Sequence, residues 1–416
     1  MQPDVIVIGG GPGGSICSAR LAQLGHRVLV LEKVRFPRFH LGESLLPQSL
    51  QILHAVGVLD TVKDRFITKN GARFHDDRNG AKARFGFDMA FDPRFPYAFQ
   101  VPRDEFDEVL LRHAQKLGVD VREEWTVTQV RFEGSRAVGV DAKDPDGKLH
   151  AFDARFVVDA TGRDALLAHV ARSTERIDGL DKTSFFAHYR GVPRVCGPEE
   201  GDIDIVIFTG GWFWFIPFKD GRTSVGAVVS SDWVKAHRSA GDATAMLQAA
   251  IDESPTAKEF TANAERLWPA LVAADFSYRV RERTGDGWLM IGDAGGFIDP
   301  LFSSGAHIAM TTGSRAATAI DAALAADDVS KTRFAAWEAD TNAGCETFIN
   351  AVRAFYGGGL LKYLFAEKQH TVLRRSITSL LSGDVFATDA RWLNDTRSRL
   401  VEMGKTDWKP DAVLGT

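Results

Sequence analysis

Residues 9–14, Gly9-Gly10-Gly11-Pro12-Gly13-Gly14, contain the spacing Gly9-x-Gly11-x-x-Gly14. Glycines so placed suit a diphosphate. The first permits a tight turn, the second lets the backbone approach the pyrophosphate, and the third lets a helix pack closely on a strand. Glu32 follows at the distance of an acid that accepts hydrogen bonds from a ribose diol. Two more acids, Asp159 after Val157-Val158 and Asp293 after Leu289-Met290-Ile291-Gly292, each sit where an apolar run ends in a turn. An acid just past a strand end can hold the hydroxyls of a bound cofactor. Gly211-Trp212-Phe213-Trp214-Phe215-Ile216-Pro217 is the remaining concentration of unusual side chains. Period two puts Trp212, Trp214 and Ile216 on one face of a strand and Phe213 and Phe215 on the other.

The surrounding pattern supplies the elements that position these groups. Asp4-Val5-Ile6-Val7-Ile8 reads as a strand buried on both faces, running directly into the glycines. Helical spacing over Ser15–Leu24, closed by Gly25, and a second strand over Arg27–Leu31 ending at Glu32 complete a dinucleotide-binding unit. The unit alone does not separate nicotinamide from flavin. Asp204–Phe208 and Thr223–Val229 are strand-like, with a hairpin turn at Lys219-Asp220-Gly221-Arg222. From about Thr332 the pattern is helical, with Trp337, Phe348, Val352 and Phe355 at helical spacing. Gly357-Gly358-Gly359 follows no strand and reads as a break between helices.

Composition narrows the function classes. With 416 residues, 44% hydrophobic and 25% charged, the chain is an ordinary globular protein large enough for several sub-cores. A net charge of -5 gives no reason to expect a nucleic-acid partner. Cys17, Cys196 and Cys345 are scattered and form no Cys-x-x-Cys pair, so neither a disulfide framework nor a metal site is expected. No apolar run reaches the roughly 20 residues that span a bilayer, and the start lacks a signal peptide's basic region. A cytoplasmic location is expected.

The order of the motifs resembles the FAD-dependent hydroxylase superfamily, the p-hydroxybenzoate hydroxylase fold, in which the Asp159 and Asp293 motifs complete an FAD site. Arg103, in Val101-Pro102-Arg103, matches that superfamily's FAD-contacting arginine. Residues 211–217 match the Gly-Trp-x-Trp-x-Ile-Pro signature of the flavin-dependent halogenases at every fixed position. Lys69, in Phe66-Ile67-Thr68-Lys69-Asn70-Gly71-Ala72, stands where those enzymes place their essential lysine. Phe39–Pro47 is similar to their segment beside the flavin, and Ile298–His307 to the loop and helix start across the ring. The resemblance implies an α/β fold: a Rossmann-type FAD-binding domain from residues 1–70, 101–175 and 281–330. A β-sheet substrate domain (71–100 and 176–280) would be interleaved with it, and a helical region (331–416) would follow.

It also implies roles. Gly9, Gly11, Pro12, Gly13, Gly14, Glu32, Lys33, Arg38, Gly42, Glu43, Ser44, Arg103, Asp293, Pro300, Gly305 and Ala306 would bind FAD. Ser304 and Gly305, at a helix start expected near Ala306, would hold the halide, since helix N-termini favour anions. Trp212, Trp214 and Pro217 would keep substrate away from the flavin, and His307 is given no role. In the implied chemistry FADH2 from a flavin reductase reacts with O2 to give a C4a-hydroperoxide, which a halide attacks. The resulting hypohalous acid moves to Lys69, which hydrogen-bonds it or carries it as a haloamine. The chain's length and Leu380–Phe386 resemble the shorter members that act on pyrrole tethered to a carrier protein, and a related group acts on phenols. No glutamate matches the substrate-orienting acid of the tryptophan enzymes, which speaks against an indole. For a tethered substrate, Lys368, Arg374 and Arg375 are docking candidates. A single-component aromatic hydroxylase explains the FAD motifs but not Lys69 or the paired tryptophans. A non-catalytic FAD-fold binding protein would not need the intact glycines and Glu32.

Overall fold

The computed structural model describes residues 2–171, 173–274, 277–387 and 390–405. A six-stranded sheet carries Val5–Ile8 at its centre, parallel to Val28–Glu32 on one side and to Phe156–Asp159 on the other. Asp120–Glu123 and Trp288–Met290 extend it as further parallel strands. Both faces of this sheet are covered, which is why its strands are unbroken apolar runs. Val5, Val7, Val28 and Val30 enter the main core, while Ile6, Ile8, Leu29 and Leu31 enter a second cluster under a three-stranded meander.

The glycine turn leads into the helix Pro12–Gln23, which starts three residues earlier than the sequence pattern suggests. Proline at the first helical position has its φ preset and no N–H to leave unpaired, so Gly11 rather than Gly14 ends the turn. This helix packs along the long helix Ser304–Ala325. A Cβ on Gly14 would overlap the Gly9 carbonyl oxygen, which fixes glycine there.

A large, mostly antiparallel sheet forms the second layer. Its strands run Glu265–Arg266, Lys182–Arg190, Arg222–Ser230, Gly211–Pro217, Ile203–Phe208, Gly71–Asp76 and Ala81–Gly86. The turn at 218–221 joins Gly211–Pro217 to Arg222–Ser230. The period-two expectation holds along Gly211–Pro217. Trp212, Trp214 and Ile216 face the main core, and Phe213 and Phe215 face a separate core with Trp233, Met246 and Leu247. The helices Ala335–Tyr356, Gly359–Leu364, Thr371–Leu381 and Arg391–Met403 follow, with Gly357 and Gly358 separating the first two and Gly359 opening the second. Among the described residues no helix is long and apolar enough to cross a membrane.

Gly226 lies opposite Trp214 in this sheet, and a Cβ there would overlap the indole. Gly226→Ala should therefore destabilise the chain by about 1–3 kcal/mol, as overpacking does, and displace Trp214. Denaturant titration followed by tryptophan fluorescence checks both; an unchanged midpoint and spectrum would refute the packing argument.

Candidate active site

Lys69 ends the short strand Ile67–Lys69, which pairs with Ala98–Gln100 so that Lys69 lies opposite Ala98. A bridge between Ser44 and Gln100 adds a third row to this small sheet. The Lys69 Nζ donates to Ser44 Oγ at 2.9 Å and to the Leu45 carbonyl at 3.2 Å, and lies 5.1 Å from the centre of the Phe87 ring. Its residue exposure is 2%, so this is not a solvated surface lysine. Burial pushes the amine down to about 7, with the Asp202 charge pulling it partly back up. Near neutral pH a large fraction of Lys69 therefore carries a lone pair.

The segment bearing Ser44 is clamped at its start. Arg103, first residue of the helix Arg103–Lys116, donates to the Leu41 and Gly42 carbonyls at 2.7 and 3.2 Å. Its other donors form a two-pronged pair with Asp107, at 2.7 and 2.9 Å, and Arg38 reaches the same carboxylate at 3.2 Å. Gly42 turns with φ +102°, and Gly42→Ala would also press on the Arg103 guanidinium. Glu43 then points away from Lys69. It is buried against His188 at 2.6 Å, and among the described residues its second oxygen and His188 Nδ1 have no hydrogen-bond partner. Sequence reading gave no role to Asp107 or His188. Asp107 was findable, because Arg103 and Asp107 are four apart on one helix. His188 carried no local signal.

The expected cofactor residues have the following surroundings. Glu32 accepts from the Gly10 N–H at 2.7 Å and the Val34 N–H at 2.9 Å, which uses part of a carboxylate's capacity. A Cβ on Gly11 would meet only the tip of Arg38, at 3.5 Å, so the backbone there is open to a close ligand. No side chain caps the Pro12–Gln23 helix, leaving Gly13, Gly14 and their neighbours as the helix's positive end. The Asp293 carboxylate accepts no hydrogen bond from the described residues, although its main-chain carbonyl takes the Tyr278 hydroxyl. Burial pushes it up to about 6, while Arg103 and Arg163 pull it down. Across the site the helix Ser304–Ala325 begins two residues before its expected start, so Ser304, Gly305 and Ala306 form its first turn. Asp299 accepts from the Leu301 N–H at 2.9 Å and shapes the Pro300 turn, and Ser303 takes a left-handed φ of 53°. No side chain caps this helix either. Two uncapped helix starts, an open glycine backbone and an acid with unmet acceptors fit a dinucleotide and an anion. Lys33, also expected at the cofactor, pairs with Asp164 at the surface.

Trp212 and Trp214 are 1% and 4% exposed, with ring centres 6.1 Å apart, so they form a solid wall rather than a lining open to solvent. Trp212 Nε1 donates to Tyr356 OH at 3.0 Å, and Tyr356 OH donates to Asp299 at 3.1 Å. Trp214 Nε1 donates to Ser224 at 3.1 Å, and Pro217 ends the strand. His307 is packed between Ser49 and the Gly383 carbonyl. Of the proposed docking residues, Arg374 lies over Phe85 and Arg375 over Phe91, folded back on the body, while Lys368 is exposed.

The tryptophan halogenase family model matches residues 4–93 and 88–359. The chain belongs to the tryptophan halogenase family. A 1H-pyrrole-2-carbonyl-[peptidyl-carrier protein] brominase of Pseudoalteromonas luteoviolacea (strain 2ta16) is 33% identical over 392 residues, 92% of each chain. A tryptophan 2-halogenase of Chondromyces crocatus is 33% identical over 78% of this chain, which spans 62% of that longer relative. The solved flavin-dependent brominase Bmp2 has a TM-score of 0.86 at 30% identity, covering 96% of this chain and 98% of that one. This halogenase is accordingly a flavin-dependent oxidoreductase whose architecture, C-terminal helices included, is that of its relatives.

Two outcomes follow from the site of this halogenase. Gly11→Leu should fold, because the space beyond Gly11 is open, yet lose FAD, because the side chain would fill the diphosphate's approach. Equilibrium dialysis with FAD checks it; normal affinity would rule out this diphosphate site. Lys69 titrates near 7 in the folded chain against 10.5 ordinarily, so between those values the unfolded chain binds more protons. Wild-type stability should therefore rise through that window relative to Lys69→Met, which cannot titrate. Melting temperatures of both proteins, compared from about pH 6.5 to about pH 9.5, should diverge in the wild type's favour; a constant difference would contradict the burial argument.

Proposed function

We propose that this halogenase uses reduced FAD, O2 and a halide to halogenate an electron-rich pyrrole or phenol ring, free or tethered to a carrier protein, with Lys69 presenting the halogen. The observation that carries the reading is the buried amine, held by two acceptors and brought down to about 7. Gly9 through Gly14, Glu32, Arg38, Gly42, Arg103, Asp293 and the Pro300–Ala306 turn would hold the cofactor. Reduced FAD together with O2 supplies the oxidising equivalent that turns a halide into hypohalous acid. A separate flavin reductase delivers the reduced cofactor in this reading. The uncapped start of Ser304–Ala325 suits the halide, since the Ser304 and Gly305 N–H groups sit at the helix's positive end.

Lys69 can act in either protonation state. As an ammonium it donates to the hypohalite oxygen and polarises the oxygen–halogen bond. As a neutral amine it attacks the halogen: the nitrogen–halogen bond forms, the oxygen–halogen bond breaks, and the departing hydroxide takes an amine proton to become water. Either state fixes an electrophile at a buried amine screened from bulk water. Trp212 and Trp214 separate the ring to be halogenated from the cofactor, which favours halogenation over direct hydroxylation. Full-length similarity to a carrier-dependent pyrrole brominase supports a tethered pyrrole as first substrate to test.

The test supplies FAD, a flavin reductase, NADH and halide with free and carrier-tethered pyrroles and phenols, reading product mass and oxygen uptake together. Lys69→Ala should still fold and consume oxygen, while halogenated product falls by roughly 10²–10³-fold or more. Lys69→Arg should restore little, because a guanidinium is larger and a poor nucleophile. Comparable halogenation by the alanine variant, or only hydroxylated product from the wild type, would sink the reading.

A further inference from the structure

We propose that Ser44 is a positioning residue for halogen transfer: its hydroxyl oxygen and the Leu45 carbonyl take two N–H bonds of Lys69 and leave the third direction of the amine to the halogen. The inference rests on the reading of Lys69 above. A neutral amine has two N–H bonds and one lone pair, whereas an ammonium has three N–H bonds. Lys69 Nζ meets two acceptors, Ser44 Oγ at 2.9 Å and Leu45 O at 3.2 Å. No third hydrogen-bond acceptor reaches it among the described residues, and the centre of the Phe87 ring lies 5.1 Å away. The neutral form is thus fully satisfied, and its lone pair has only one direction left.

Adjacent acceptors make this a template rather than a chance contact. Both lie on the segment that Arg103 clamps at Leu41 and Gly42 and that the Ser44–Gln100 bridge holds. Ser44 is itself 3% exposed, so solvent does not compete for its oxygen. Asp202 is the charged group whose field reaches Lys69; it is engaged by Arg84 at 2.9 Å and by the Asn70 N–H at 2.9 Å. It biases protonation but does not orient the nitrogen. Orientation falls to Ser44 and Leu45, and of the two only Ser44 is a side chain that can be changed.

The experiment titrates the Lys69 Nζ by NMR in ¹⁵N-lysine-labelled protein without added FAD, using Lys69→Ala to assign the resonance. Ser44→Ala and Ser44→Thr are compared with the wild type, and halogenated product per O2 consumed is measured for each. An acceptor favours the ammonium more than the amine, so Ser44→Ala should titrate about one pH unit lower. Its product per O2 should fall on the order of 10–100-fold, as when a supporting hydrogen bond is lost. Ser44→Thr keeps the hydroxyl and should recover both. Ser44→Ala with wild-type titration, whether or not product falls, overturns the proposal, as does a threonine variant that behaves like alanine. Halogenation that survives in Lys69→Ala would instead overturn the functional reading itself, so the two failures are distinguishable.

Discussion

A lysine amine withdrawn from water is the constraint around which the centre of this molecule is arranged. Desolvation disfavours a buried charge, and among the described residues no carboxylate touches Lys69, so the more distant Asp202 offsets it only in part. The remedies available are to give up the proton or to find acceptors, and this chain does both. The segment around Ser44 offers two oxygens. That segment stays in place because Arg103 grips the turn before it and is itself neutralised by Asp107. The arginine expected to touch cofactor thus also serves the lysine.

Two sides of the centre are tied together by polar links that cross element boundaries. Trp212 reaches Tyr356 on the helix Ala335–Tyr356, and Tyr356 reaches Asp299 at the turn before Ser304–Ala325. Burial pushes Asp299 up to about 6, the Leu301 N–H and Tyr356 drawing it back. One hydrogen-bond chain therefore sets the tryptophan wall relative to the anion-suited helix start. The C-terminal helices are part of the site's frame, not an appendage.

How much of this was legible depended on sequence distance. The glycine turn, its two strands and Glu32 lie within a single stretch, so period and spacing revealed them together. The faces of Gly211–Pro217 were legible because alternation alone decides them. Helix starts were misplaced at Pro12 and Ser304 because turn geometry, not apolar spacing, sets them. The burial of Lys69 had no local signature at all. It arises from pairing among residues 67–69, 98–100 and 44, and the segment around Lys69 reads no differently from an exposed strand end. The Glu43–His188 contact, bridging 145 positions, was invisible for the same reason.

The central sheet has a further consequence for how the chain is made. Val5–Ile8 is synthesised about 150 residues before its neighbour Phe156–Asp159, and Trp288–Met290 completes that side later still. During synthesis the first strand can pair only with Val28–Glu32, leaving one hydrogen-bonding edge of a strongly apolar strand open. At a ribosomal rate of roughly 5–20 residues per second, that edge waits on the order of ten seconds for its partner. A nascent chain of this enzyme is therefore a ready client for chaperones that shield apolar strands, and amino-terminal fragments that stop before residue 156 should aggregate rather than fold.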